Sequence, residues 1–289
     1  MVRLKFSIAL NYEVIGFPSD FIFNIHAAQT RNQTIFFEDL QVNQQVPVSL
    51  FNDPVHGTRY MRLRAEPGVL TVRYDATVDI SHHITSPDSV MESPIAELPP
   101  AVLAYIYPSR YCQSDRLQQF ARSEFGNLPH GYTRVRAIQN WVQRRTRFVS
   151  GSSDQTTSAV DTVIEQVGVC RDFAHLMIAL CRALNIPARF TTGIDYGADP
   201  AFGPTDFHAC VEVFLSGRWY LFDPSGMALP MGMIRIGTGR DAADVSFATI
   251  FGTVRSNAPL IVIEGVGDAA NGIDLPRACI DALSTDDAL

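Results

Sequence analysis

The sequence predicts an α+β protein, an all-β sandwich over residues 1–85 followed by a core in which helices come first and an antiparallel sheet afterwards. Three observations carry this. Leu4, Phe6, Ile8, Leu10 and Tyr12 alternate with Lys5, Ser7, Ala9 and Asn11, and Leu70 to Ser81 alternates without a break, the period of two of a half-buried strand. Past Ile84 the texture changes, and Pro87, Pro94, Pro99 and Pro100 forbid regular elements. Helical spacing then begins near Ser114 and gives way to strands after Arg189, the order expected of an α+β fold.

In the first region Phe21, Phe23 and Ile25, then Thr34 to Phe37, then Met61 and Leu63 give shorter strands. Pro18, Asn43, Pro54, Gly57 and the Pro67-Gly68 turn separate them, and an antiparallel sandwich buries their apolar faces. Residues 86–100 read as a linker and 101–265 as the core. Ser114 is expected to cap a helix carrying Leu117, Phe120, Ala121 and Phe125, and Thr133 a second carrying Val135, Ile138, Trp141 and Val142. Ser150 to Thr157 reads as a loop, and Ser158 to Gln166 as a third helix ended by Gly168. Arg171 to Leu184 is amphipathic, with Phe173, Met177, Leu180 and Leu184 on one face. Strands follow at Arg189–Ile194, Ala209–Leu215, Trp219–Asp223, Ile234–Ile236 and Leu260–Ile263. Residues 266–289, with Ser284-Thr285-Asp286-Asp287 near the end, read as a loose tail.

Composition removes several function classes. The 289 residues are 46% hydrophobic and 18% charged, with a net charge of −7, as in a soluble globular chain. The apolar run around Leu176 to Leu184 is interrupted by Cys181 and Arg182 and is far short of the about 18 residues a spanning helix needs. The strand-like alternation after Arg3 is not the apolar block of a signal peptide. No basic run exceeds Arg144-Arg145, and a negative field opposes phosphate, so nucleic acid is not expected as a partner, and with no spanning segment proposed neither is a membrane. The cysteines at 112, 170, 181, 210 and 279 are odd in number and contain no CxxC pair. They suggest neither a disulfide framework nor a zinc ribbon, and a reducing, cytoplasmic location is expected. His82 and His83 are adjacent on a strand end and point to opposite faces, and no cluster has metal-ligand spacing. No metal and no cofactor are expected.

Chemistry concentrates on one thiol. Cys170 ends the Gly168-Val169 loop and opens a helix, where unpaired backbone N–H groups and the positive end of the dipole favour an anionic sulfur. Gly168 is expected to let another backbone approach closely. A nucleophilic thiol needs a proton-transfer partner. His175 lies about 140° around the helix axis from Cys170, so it reads as a packing or hydrogen-bonding residue. His208 is better placed, after the Gly203-Pro204-Thr205-Asp206 turn and at the start of a strand. Ser216-Gly217-Arg218 joins that strand to Trp219–Asp223 as a hairpin. Folding about Gly217 sets His208 opposite about position 225, two residues from Asp223 on the neighbouring strand. An Asp there would orient the imidazole and stabilise its protonated form.

Gly168-Val169-Cys170-Arg171-Asp172-Phe173-Ala174-His175, His208-Ala209-Cys210-Val211-Glu212-Val213 and Trp219-Tyr220-Leu221-Phe222-Asp223-Pro224-Ser225-Gly226 resemble the three motifs of the transglutaminase-like superfamily. The likeness is to a bacterial branch described as cysteine proteases. Gly239-Arg240-Asp241-Ala242-Ala243-Asp244-Val245 resembles its motif after the Asp strand, and the N-terminal β region resembles its accessory domain. The resemblance implies a papain-like core with Cys170 as nucleophile, His208 as general base and acid, and Asp223 as the orienting acid. Members usually carry Trp two residues after the His. Here Cys210 stands there, sharing His208's face and filling or shaping the pocket. Cys181 lies about 16 Å along the helix from Cys170, too far for a disulfide, and reads as core. The expected reaction is acyl transfer through a thioester on a peptide or protein substrate, with Gly168, Val169 and Cys210 around the pocket. The Cys170 N–H is the one oxyanion donor that can be named. Water would make the protein an amide hydrolase, and an amine would make it a transferase. A non-catalytic peptide-binding relative is the remaining reading. The oligomeric state is not legible.

Overall fold

The structure, a computed structural model, describes residues 1–197 and 204–286. Gly203 of the turn expected before His208, and Asp287 of the expected tail, lie outside the described residues. In chain order the elements are β1 (Val2–Val14), β2 (Ser19–Phe23), β3 (Gln33–Val42), β4 (Val48–Asn52), β5 (Arg59–Ala65), β6 (Gly68–Ile80) and β7 (His83–Thr85). Then come α1 (Gln118–Phe125), α2 (Tyr132–Arg145), β8 (Arg147–Phe148), α3 (Ala159–Glu165), β9 (Val167–Gly168) and α4 (Cys170–Ala183). The remainder is β10 (Ala188–Asp195), β11 (Phe207–Leu215), β12 (Arg218–Phe222), β13 (Met233–Gly239), β14 (Ala248–Phe251), β15 (Val254–Ser256), β16 (Leu260–Gly265) and β17 (Ala282–Ser284).

The two strongest alternations pair with each other. β1 and β6 run antiparallel from Val2 opposite Ile80 to Val14 opposite Gly68. Their inward residues, among them Leu4, Phe6, Ile8, Val72, Tyr74 and Val78, meet Phe21, Phe23 and Met61 of the facing sheet in one core. That sheet has the order β14-β2-β5-β4. β3 is longer than Thr34 to Phe37, and β4 is exposed along its whole length, so no alternation announces it.

The expected core of 101–265 is not one contiguous unit. β15 and β16 return to pair with β1, and β14 pairs with β2. The reason lies in β1, which is flanked by β6 on one side only and would otherwise leave a long row of N–H and C=O groups unpaired. The expected loose tail is also corrected, because β17 pairs with β7 and its Ala282, Leu283 and Ser284 are buried. The Pro-rich linker holds short 3₁₀ turns at Pro87–Ser89, Ile95–Glu97 and Pro100–Tyr105. Two of them open on a proline, which lacks only an N–H that the first turn leaves unpaired.

Two helix starts also move. α1 begins after a turn at Ser114 and not on a Ser114 cap, and α2 begins at Tyr132 with Gly131 at its cap position, so that Thr133 lies inside its first turn. Gly131 has φ 108, a left-handed conformation that favours glycine. Its N–H is held by Glu92 Oε1 at 2.8 Å.

α4 is the central helix. Its Phe173, Ala174, Met177, Ile178 and Cys181 pack into a core shared with α1, α2, α3 and the inward residues of β10 and β11. Arg182 is buried because its guanidinium caps carbonyls, donating to the oxygens of Ala188, Tyr107 and Arg240 at 2.6–3.2 Å. The sheet beneath has the order β12-β11-β10-β13.

One face of this sheet carries a buried charge network. Glu212 is fully buried between Arg189, at 2.7 Å, and Arg235, and Asp286 pairs with both arginines. Removing one member of such a network leaves buried charge uncompensated. Glu212→Gln is therefore expected to lose about 3–5 kcal/mol of stability, read as a fall in the urea midpoint at an unchanged slope.

Candidate active site

The α4 N-terminus is fixed by its own third residue. The Asp172 carboxylate accepts the Val169 N–H at 2.8 Å, and a Cβ on Gly168 would meet the Asp172 Cβ at 2.7 Å. Gly168 thus makes room for the capping side chain, where the sequence had suggested room for another backbone. Cys170 is consequently held in the first turn, half-buried at the wall of the cleft, with its thiol 3.9 Å from the Phe207 carbonyl. Val169 lines the same cleft.

The hairpin register is the one expected. Val211 stands opposite Phe222 and Leu215 opposite Arg218, so one step further Asp223 comes across from Cys210. Ser216 and Gly217 turn the chain with φ 46 and 76, the left-handed pair of a tight hairpin. His208 Nε2 lies 3.3 Å from Asp223 Oδ1. This is ion-pair distance, although the ring N–H is not aligned on the oxygen and Nε2 has no other hydrogen-bond partner among the described residues. His208 is 5% and Asp223 3% exposed.

Asp223 is itself pinned. Oδ1 accepts from Ser225 N and Oγ at 3.0 and 2.6 Å, and Oδ2 from Ala228 N at 2.8 Å. Burial alone would raise this carboxyl, but the His208 charge and these donors hold it below the usual range. Burial alone would lower the His208 imidazolium. The facing Asp223 carboxylate, with Cys210 and Cys170 adding to it, raises it well above the ordinary histidine value. The imidazolium is therefore populated through neutral pH, and Nδ1 is the nitrogen left for the thiol side.

Cys210 shares His208's face as expected and is fully buried, which pushes its thiol up to about 12. Spacing along the chain gave no sign of a metal-type cluster, yet the ligand atoms of His208, Cys210 and Asp223 all lie within 4.8 Å of one another. The signal was present but divided, an i, i+2 pair on one strand and a single residue on its hairpin partner.

Other expectations fall into place around the cleft. His175 is fully buried, stacked 5.0 Å from Tyr111, and its Nε2 accepts the Ala242 N–H at 3.1 Å, so it packs and ties α4 to the segment after β13. Cys112 and Cys181 are fully buried, and Cys279 is partly exposed.

The cleft, about 980 Å³, is lined by Cys170, His208, Phe190 and Thr192 of the core and by Phe247 and Ile250 of the segment returning to the sandwich. Asp195, at the end of β10, lines it too, with its carboxyl raised by burial. Sequence reasoning missed it, because an Asp ending a strand reads as a turn residue.

No helix of the described residues is long and apolar enough to cross a membrane. Residues 118–224 match the profile of the transglutaminase-like superfamily, and residues 2–101 that of the bacterial transglutaminase N-terminal domain. The crystal structure of a candidate cysteine protease from Cytophaga hutchinsonii is 37% identical to the chain, with a TM-score of 0.90. That match covers 98% of this chain and 97% of the other. An uncharacterized protein of Mycobacterium leprae is 30% identical over 117 residues, 39% of this chain and 42% of its own length. An uncharacterized protein of Mycobacterium tuberculosis is 32% identical over 141 residues, 45% of this chain and 44% of its own. The chain thus spans less than half the length of these mycobacterial relatives. With both of its regions matched and its fold shared end to end with a 37% identical protein, the chain belongs to the transglutaminase-like superfamily.

Proposed function

We propose that the protein is a thiol-dependent amide hydrolase acting on a peptide or isopeptide through Cys170, His208 and Asp223. The observation that carries this reading is the buried His208–Asp223 pair, 3.3 Å apart, with His208 at the wall of a cleft that Cys170 also lines. The Cys170 sulfur, as thiolate, attacks the amide carbonyl carbon and forms a C–S bond. Negative charge moves to the carbonyl oxygen, where the Cys170 N–H, without an intrahelical acceptor at the start of α4, donates to it. Collapse breaks the C–N bond as His208 gives its proton to the departing amine. Water then attacks the thioester, His208 takes its proton, and the acid leaves with Cys170 restored. Asp223 keeps the imidazole oriented and its charged form stable throughout.

The volume of the cleft, about 980 Å³, and its apolar Phe190, Phe247 and Ile250 suit a stretch of chain more than a small amide. Unpaired cysteines favour a cytoplasmic setting.

A peptide library incubated with wild type and Cys170→Ala, with and without a primary amine, tests the reading. Products carrying a new carboxylate, formed by wild type alone and indifferent to amine, are expected. Products formed only with amine would make the protein a transferase, and identical profiles for the two proteins would leave it a binding module.

A further inference from the structure

Behind the His208 ring, one face of the sheet gathers a nitrogen, a sulfur and a carboxylate. Strand alternation puts His208 and Cys210 on that face of β11, and the hairpin register brings Asp223 across from Cys210. Their ligand atoms lie within 4.8 Å of one another, on side chains 5%, 0% and 3% exposed. His208 Nε2 is moreover a buried polar atom without an aligned partner among the described residues, 3.3 Å from Asp223 Oδ1.

The separations suit a tetrahedral ion. Two N and O donors about 2.1 Å from one zinc stand about 3.4 Å apart, and Nε2 and Oδ1 are already at 3.3 Å. At a Zn–S length of about 2.3 Å the Cys210 sulfur would stand about 3.6 Å from each of the other donors, so from within 4.8 Å it has at most about 1.2 Å to close. A mixed imidazole, thiolate and carboxylate set selects zinc over the hard cations magnesium and calcium, which take oxygen ligands.

We propose that His208, Cys210 and Asp223 form an inhibitory zinc site, completed by the Cys210 sulfur two residues along β11 from His208. Binding releases two protons to solvent, one from the Cys210 thiol and one from Nε2 of the His208 imidazolium, and leaves the fourth tetrahedral position to a small ligand such as water. An imidazole that ligates through Nε2 is neutral and carries its proton on Nδ1. That nitrogen can then neither take a proton from Cys170 nor return as imidazolium to an amine. The inhibition rests on the proposed acyl-transfer function, whereas the binding does not.

Zinc binding by the full chain, measured by calorimetry and by competition with a chromophoric chelator, separates this site from simple capture of zinc by Cys170. Cys170→Ala, which is inactive under the proposed mechanism, is expected to bind one zinc per chain within about threefold of the wild-type affinity. Cys210→Ala and the near-isosteric Cys210→Ser are expected to lose about 100-fold or more, beyond what removing an outer-shell partner does. Cobalt bound to Cys170→Ala should still show the sulfur-to-metal charge-transfer band, a readout that needs no Cys210 variant to fold. Loss of zinc in Cys170→Ala, retention in both Cys210 variants, or no stoichiometric binding by wild type would overturn the site. A site that binds zinc in Cys170→Ala beside a wild type with no turnover would instead count against the hydrolase reading alone.

Discussion

Cys170→Ala is expected to lower kcat by about 10⁵–10⁶-fold, the loss seen when a covalent nucleophile is removed and only binding and oxyanion stabilisation remain. The thiol is the one atom of the site that forms a bond to substrate in the proposed mechanism, so nothing nearby replaces it. Cys210 has the same chemistry but is fully buried, with its thiol pushed up to about 12, and it does not line the cleft. Stability should change little, within about 0.5 kcal/mol, because Cys170 is half-buried and the cap on α4 belongs to Asp172. A large loss of turnover with an unchanged melting temperature is the pattern to look for. An alanine variant that retains a tenth of wild-type activity would place the nucleophile elsewhere.

Asp223→Asn should lower kcat/KM by about 10⁴-fold through its effect on His208. The sign of the accompanying pH effect follows from the two opposing influences on the imidazole. Burial lowers its pKa and the Asp223 carboxylate raises it, with the net result well above the ordinary value. Activity that needs the imidazolium is therefore present at neutral pH and lost as pH rises through that raised value. Asparagine keeps the shape and the contact but removes the charge, leaving burial opposed only by Cys210 and Cys170. The alkaline limb of the pH–rate profile should move to lower pH. A purely structural role for Asp223 would reduce activity without moving the limb, so the profile distinguishes the two.

The site was legible where local rules determine it. Ser216-Gly217 fixes a tight hairpin, the hairpin fixes the register, and the register brings Asp223 to His208. Helix periodicity likewise placed Cys170 at an N-terminus and turned His175 away from it. What local rules cannot see is which distant strands complete a sheet. β14, β15 and β16 carry nothing in their residues to say that they return to β2 and β1, and β4 has no buried face to produce alternation. The C-terminal segment read as a tail because Ser284, Thr285 and Asp286 are polar. In the fold Ser284 and Thr285 are buried and Asp286 answers two buried arginines, a role set by tertiary charge and not by sequence texture. The His208, Cys210 and Asp223 cluster was hidden for the same reason, since metal-type spacing is read along one segment and this one is assembled from two.

Alkylation of Cys170 tests the central claim without knowledge of the substrate. At pH 6 an ordinary cysteine is under about 1% thiolate and reacts slowly with iodoacetamide. Cys112, Cys181 and Cys210 are fully buried, so the partly exposed Cys279 is the internal reference. Site-resolved mass spectrometry of the native protein should show Cys170 alkylated at least about tenfold faster than Cys279, and His208→Ala should bring it to about the Cys279 rate. Equal rates at Cys170 and Cys279 in wild type, or a fast Cys170 that ignores the loss of His208, would contradict a thiol activated by that histidine.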